Sequence, residues 1–69
     1  MKKDISKKLG VNIKRIRTEK GMIQGDIVRT LNLDRGYVSN LESGKRNPTS
    51  AMIEKIAGVL GVKSAESLK

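Results

Sequence analysis

The chain has 69 residues, 15 of them Lys or Arg against 7 Asp or Glu, giving a net charge of +8, and it contains neither His nor Cys. A chain this short buries only about 60% of the surface it exposes when unfolded, so one domain of marginal stability is expected. Without Cys and His there is no disulfide staple, and the usual zinc ligands and the commonest general base are missing, which speaks against an enzyme, a metal centre or a cofactor site.

Ile5, Leu9, Ile13 and Ile16 recur at helical spacing with Lys7, Lys8, Lys14 and Arg15 between them, predicting a first helix over about 4–19 that Gly21 ends. Ile27, Val28 and Leu31 mark a second, short helix over 24–31. Asn32 and Leu33 form a tight link, and Asp34 is placed to cap a third helix over 34–43, its carboxylate accepting orphan backbone N–H groups, with Gly44 as the stop. The stretch Lys45-Arg46-Asn47-Pro48 reads as a basic loop. Thr49 or Ser50 then caps a fourth helix over 50–60, and 64–68 suits one last helical turn. No strand is needed, so the expected fold is all-α: four or five helices around one core, spanning residues 1–69.

The excess positive charge suits a polyanion, nucleic acid ahead of an anionic membrane surface. Tyr37 is the only aromatic residue, which disfavours single-strand binders that stack bases on aromatic platforms and moves duplex DNA ahead of RNA. The N-terminal Met-Lys-Lys-Asp leads into no signal-peptide-like apolar segment, and no stretch is long enough to span a membrane; a cytoplasmic protein is expected.

Two short helices joined by a tight turn allow the first to cross the DNA backbone while the second enters the major groove, so the third helix of the chain is the candidate reader. Val38 and Leu41 point one way on it, while Gly36, Ser39, Asn40 and Ser43 point largely the other. Asn pairs bidentately with adenine and Arg with guanine, which makes Asn40 and Arg35 the strongest candidate base readers, with Ser39 and Gly36 beside them. Lys45, Arg46 and Asn47 in the following loop are candidates for phosphate contacts. Tyr37 borders the two faces, and either its ring packs on the domain or its hydroxyl reaches a phosphate as well. Ser43-Gly44-Lys45 resembles the end of a nucleotide phosphate loop, but the earlier glycine is absent and Arg46 stands where Ser or Thr belongs.

The segments Ile13 to Arg17, Glu19 to Gln24, Tyr37 to Pro48 and Ile56 to Val62 together resemble the helix-turn-helix domains of phage repressor, Cro and xenobiotic-response-element type bacterial regulators. The resemblance covers Leu9 to about Leu68. It implies an ion pair between Arg17 and Glu42 behind the DNA-contacting surface, and a DNA contact from Gln24 at the start of the second helix, where backbone N–H groups favour a phosphate. It also implies a transcriptional regulator, of repressor type, that binds as a homodimer to an inverted repeat with half-sites about one helical turn apart. The competing class is an antitoxin or coactivator-type protein-interaction module, which an exposed apolar patch on the fourth helix or the C-terminal turn would favour.

Three positions depart from the family pattern. Ile23 stands where Ser or Thr is usual, and Gly25 lies inside the second helix; each is expected to cost that helix about 1 kcal/mol. Gly36 brings no side chain to a position from which many relatives read a base, though it lets the backbone approach closely.

Overall fold

A computed structural model describes residues 2–63 and 68, with side chains described from Ser6 onward. Four helices form: α1 (Lys2–Glu19), α2 (Gln24–Leu31), α3 (Arg35–Glu42) and α4 (Ser50–Leu60), with no strand among the described residues. The last expected element, over 64–68, lies outside the described residues except for Leu68, which is fully buried and whose carbonyl accepts a hydrogen bond from Asn12 Nδ2 at 2.9 Å.

The periodic apolar positions converge on one core. Leu9, Ile13 and Ile16 come from α1, Ile27 from α2, Val38 and Leu41 from α3, and Ile53, Ile56, Ala57 and Leu60 from α4. The α3 helix packs on α1 and α2, and α2 packs on α4, so three apolar stripes meet behind the face that α3 turns to solvent.

All four helices stop in the same way. One residue adopts a left-handed conformation, and the next N–H reaches back five residues to a carbonyl: Met22 to Arg17 (3.0 Å), Leu33 to Val28 (3.0 Å), Lys45 to Asn40 (2.9 Å) and Val62 to Ala57 (3.1 Å). The left-handed residue is Gly at 21, 44 and 61 and Asn at 32 (φ 54°), the amino-acid types that enter this region at least cost. Such closures usually pin an apolar residue onto the helix they end. Met22, Leu33 and Val62 do so, partly buried against the core, whereas the residue at the α3 exit is the exposed Lys45.

The helix starts differ from one another. Thr49 caps α4, its hydroxyl accepting the Met52 N–H at 3.1 Å. Asp34 has the extended backbone of a cap (φ −73°, ψ 142°), yet its carboxylate accepts no N–H of α3, contrary to expectation. The side chain is exposed, so water competes for the carboxylate and only its charge, near the positive end of the helix dipole, favours α3. At α2 the expected loss at Ile23 is met from the other side: Asp26 Oδ2 accepts the Ile23 backbone N–H at 2.9 Å, the half of a capping box that needs no hydroxyl at the cap. Asp26 Oδ1 also takes Arg29 Nη2 at 2.7 Å.

Candidate nucleic-acid interface

The placement of α3 depends on a polar junction of three helices. Glu42, at the last turn of α3, accepts Arg17 Nε at 2.6 Å and Arg17 Nη2 at 3.0 Å, both from α1, and Gln24 Nε2 of α2 at 3.0 Å. Arg17 spends a further donor, Nη1, on the Met22 carbonyl at 2.8 Å, tying the α1 exit into the same junction. The two charged side chains are only 9% and 3% exposed, so this is a buried, bidentate pair. The hydrogen bond to Glu42 raises the Arg17 pKa above its ordinary value; desolvation opposes this, and the charges of Glu42 and Asp26 add to it.

Close backbone approach completes the arrangement. A Cβ at Gly10 would run into the carbonyl oxygen of Leu41 and sit 2.7 Å from that of Glu42, so α1 crosses the C-terminal end of α3 through a notch only glycine leaves open. Gly44 is constrained twice, by its φ of +80° and by Lys7, whose Cα and Cγ would both lie 2.8 Å from a Cβ at 44. Gly10 was not among the residues singled out from the sequence. The signal was available: a glycine inside an amphipathic helix, seven residues before Arg17 and on the same face, marks a close contact rather than a weak helix.

Arg35, Gly36, Ser39 and Asn40 all lie exposed on α3, opposite the buried Val38 and Leu41. Nothing in the protein lies within 4 Å of a Cβ built at Gly36, so no internal packing demands a glycine there. Ser43 is exposed, but its hydroxyl donates to the Asn40 carbonyl at 3.2 Å; it must rotate before that proton can meet a phosphate oxygen. Gln24 is half-buried and one amide proton is engaged by Glu42, which leaves the second available.

Lys45, Arg46 and Asn47 are exposed in the loop after α3, which the buried Pro48 anchors. Arg46 Cζ lies 4.8 Å from the centre of the Tyr37 ring, a contact the sequence did not reveal because it depends on the loop folding back along α3. A guanidinium stacked on a ring keeps its in-plane donors, so Arg46 is held beside α3 while remaining able to grip an anion. Tyr37 is half-buried, with its ring packed against the core.

The described residues contain no group of three or more His, Cys, Asp or Glu side chains able to hold a metal ion, and no helix of theirs is long and apolar enough to cross a membrane.

Known proteins resemble this chain in sequence and in fold. A helix-turn-helix family model matches residues 13–67. An uncharacterized helix-turn-helix transcriptional regulator of Sinorhizobium fredii is 38% identical over 63 residues, covering 91% of this chain and 82% of the relative. The control protein C.MunI of a Mycoplasma species is 38% identical over 64 residues, covering 91% of this chain and 86% of its own length. The crystal structure of the restriction-modification controller protein C.AhdI from Aeromonas hydrophila superposes with a TM-score of 0.87 at 32% identity, covering 96% of this chain and 98% of the other. With the polar junction of three helices, the exposed α3 face and these likenesses together, the chain belongs to the helix-turn-helix family of Cro-like, xenobiotic-response-element type DNA-binding transcriptional regulators.

Proposed function

We propose that this protein reads an operator in duplex DNA by inserting α3 into the major groove and represses transcription by occupying it. The observation that carries the reading is the contrast between the two sides of α3. Its inner side is locked by a buried pair and close backbone contacts, while Arg35, Gly36, Ser39 and Asn40 stand exposed on the outer side, with no hydrogen bond or ion pair from the Arg35, Ser39 and Asn40 side chains among the described residues. Asn40 supplies one donor and one acceptor for a bidentate pair with adenine, Arg35 two donors for guanine, and Ser39 and the bare Gly36 allow close approach. Gln24 at the start of α2, with Tyr37, Ser43, Lys45, Arg46 and Asn47 on the other flank, are the proposed phosphate contacts that set register.

A single α3 covers only a few base pairs, so a homodimer on an inverted repeat, with residues 1–69 of each copy acting as one unit, is the proposed binding form. Site occupancy by itself obstructs other proteins, which is why repression needs no further surface. A non-enzymatic, cytoplasmic role without cofactor follows from the same reading. The protein-interaction alternative gains little. The exposed large hydrophobics among the described residues are Val11 and Ile23, on α1 and at the start of α2, and neither lies on α4; the C-terminal turn lies outside the described residues except for the buried Leu68.

The test is selection from randomised duplexes with sequencing of the bound fraction at two salt concentrations. An inverted repeat whose preferred bases change in Asn40→Ala or Arg35→Ala supports the reading. Salt-labile binding without a motif refutes it in favour of protein interaction.

A further inference from the structure

The α1 helix contributes more than support for α3. Its contact line with the end of α3 runs through Lys7, beside Gly44, then Gly10, against the Leu41 and Glu42 carbonyls, then Arg17, paired with Glu42. Lys14 lies four residues after Gly10, about 40° round the helix, and Lys7 three residues before it, about 60° round on the same side. Both are exposed, and neither takes part in an ion pair found among the described residues. Glu42, the acidic residue at this crossing, is already occupied by Arg17 and Gln24.

Lys14 lies about one turn before Arg17, which shares Glu42 with Gln24, and Lys7 lies against Gly44 at the start of the 44–47 loop, so along α1 the two lysines stand between the elements that carry the two groups of proposed phosphate contacts. We propose that Lys7 and Lys14 form a third set of contacts to the phosphodiester backbone of the same duplex, joining the α2 start to the post-α3 loop in one continuous cationic track. The inference rests on the reading of α3 as a duplex reader. The partner follows from continuity with that face and from charge: uncompensated ammonium groups on flexible stems suit phosphate oxygens and carry no base preference. A purely structural role, in which the lysines neutralise the negative carbonyl end of α3, is the alternative.

Lys7→Gln and Lys14→Gln, singly and together, separate these roles, with Lys55→Gln on the exposed side of α4 as the control. Affinity is followed by fluorescence anisotropy against salt, for the selected duplex and for a scrambled duplex of equal length, together with the Tm of the free protein. The expected result is a log–log salt slope shallower by about one per protomer for each lysine removed, hence by about two for each substitution in the proposed homodimer complex. Affinity should fall by the same factor on both duplexes, with an unchanged base preference and unchanged Tm, and Lys55→Gln should keep the parental slope. Parental slopes in Lys7→Gln and Lys14→Gln, with or without a lowered Tm, overturn the proposal, as does an equal change in Lys55→Gln. If the parent shows no preference between the two duplexes, operator reading fails, yet the slopes on the scrambled duplex still decide whether this track touches phosphate.

Discussion

Replacing Glu42 by Ala removes the acceptor of three hydrogen bonds at once: two from Arg17, at 2.6 and 3.0 Å, and one from Gln24 at 3.0 Å. The Arg17 side chain, 9% exposed, keeps only the Met22 carbonyl. Stranding one charge of a buried pair costs roughly 3–5 kcal/mol. A domain of this length has a total stability of about 3–10 kcal/mol, so the substitution removes a third or more of it. For such a small domain each kcal/mol moves Tm by about 4–8 °C, which gives a drop of roughly 12–40 °C. Urea unfolding followed by helical circular dichroism measures the loss, and the paired substitution Arg17→Met with Glu42→Leu supplies the control. Removing both charges leaves nothing stranded, so the double variant should lie closer to the parent than Glu42→Ala does. A loss in Glu42→Ala below about 1 kcal/mol, the range of an exposed pair, would refute the reasoning. The pH response is one-sided for Arg17: its pKa is raised in the folded state, so its contribution is complete below the ordinary guanidinium range and fades only at a pH above it.

Gly44→Ala, forced to φ +80° and against the Lys7 backbone, should destabilise by more than the roughly 1 kcal/mol expected of a left-handed Ala alone, whereas Gly36→Ala, with open space around its Cβ, should raise Tm; thermal melts of the two compare them directly. Gly25→Ala should stabilise α2 by about 0.5–1 kcal/mol, because the nearest atom, Arg29 Nη1 at 3.1 Å from the new Cβ, is the far end of a flexible exposed chain; a lower Tm would show that Arg29 cannot yield. Thr49→Ala removes the α4 cap and should cost about 1 kcal/mol in urea titration, while Asp34→Ala, which loses no cap hydrogen bond, should cost less than that.

The helices were legible in the sequence where apolar period and glycine stops agreed, as at Gly21 and Gly44; α1 begins at Lys2, two residues before the expected start. What could not be read was the choice each polar side chain makes among several partners. Asp34 looks like a cap, but a solvent-exposed carboxylate has water as a ready alternative, while Asp26, three residues after an unpromising Ile23, takes the cap position's own N–H. Gln24 and Glu42 are eighteen residues apart, and their hydrogen bond exists only once α2 and α3 are both docked. The Arg46 contact with Tyr37 likewise depends on the path of a loop. On the candidate interface, the face of α3 followed from the 100° rotation per residue, whereas the crossing of α1 over its end did not, because it depends on contacts across helices rather than spacing within one.

None of the side-chain bonds that hold α3 in place uses Arg35, Ser39 or Asn40, and Gly36 has no side chain to offer. Substitutions at such exposed positions ordinarily change stability by no more than about 0.5 kcal/mol. On the proposed reading of α3, these four positions can therefore be exchanged one at a time, passing from one target sequence to another through folded intermediates. The cost of acquiring a new address then falls on recognition alone, and the scaffold that presents it is inherited unchanged.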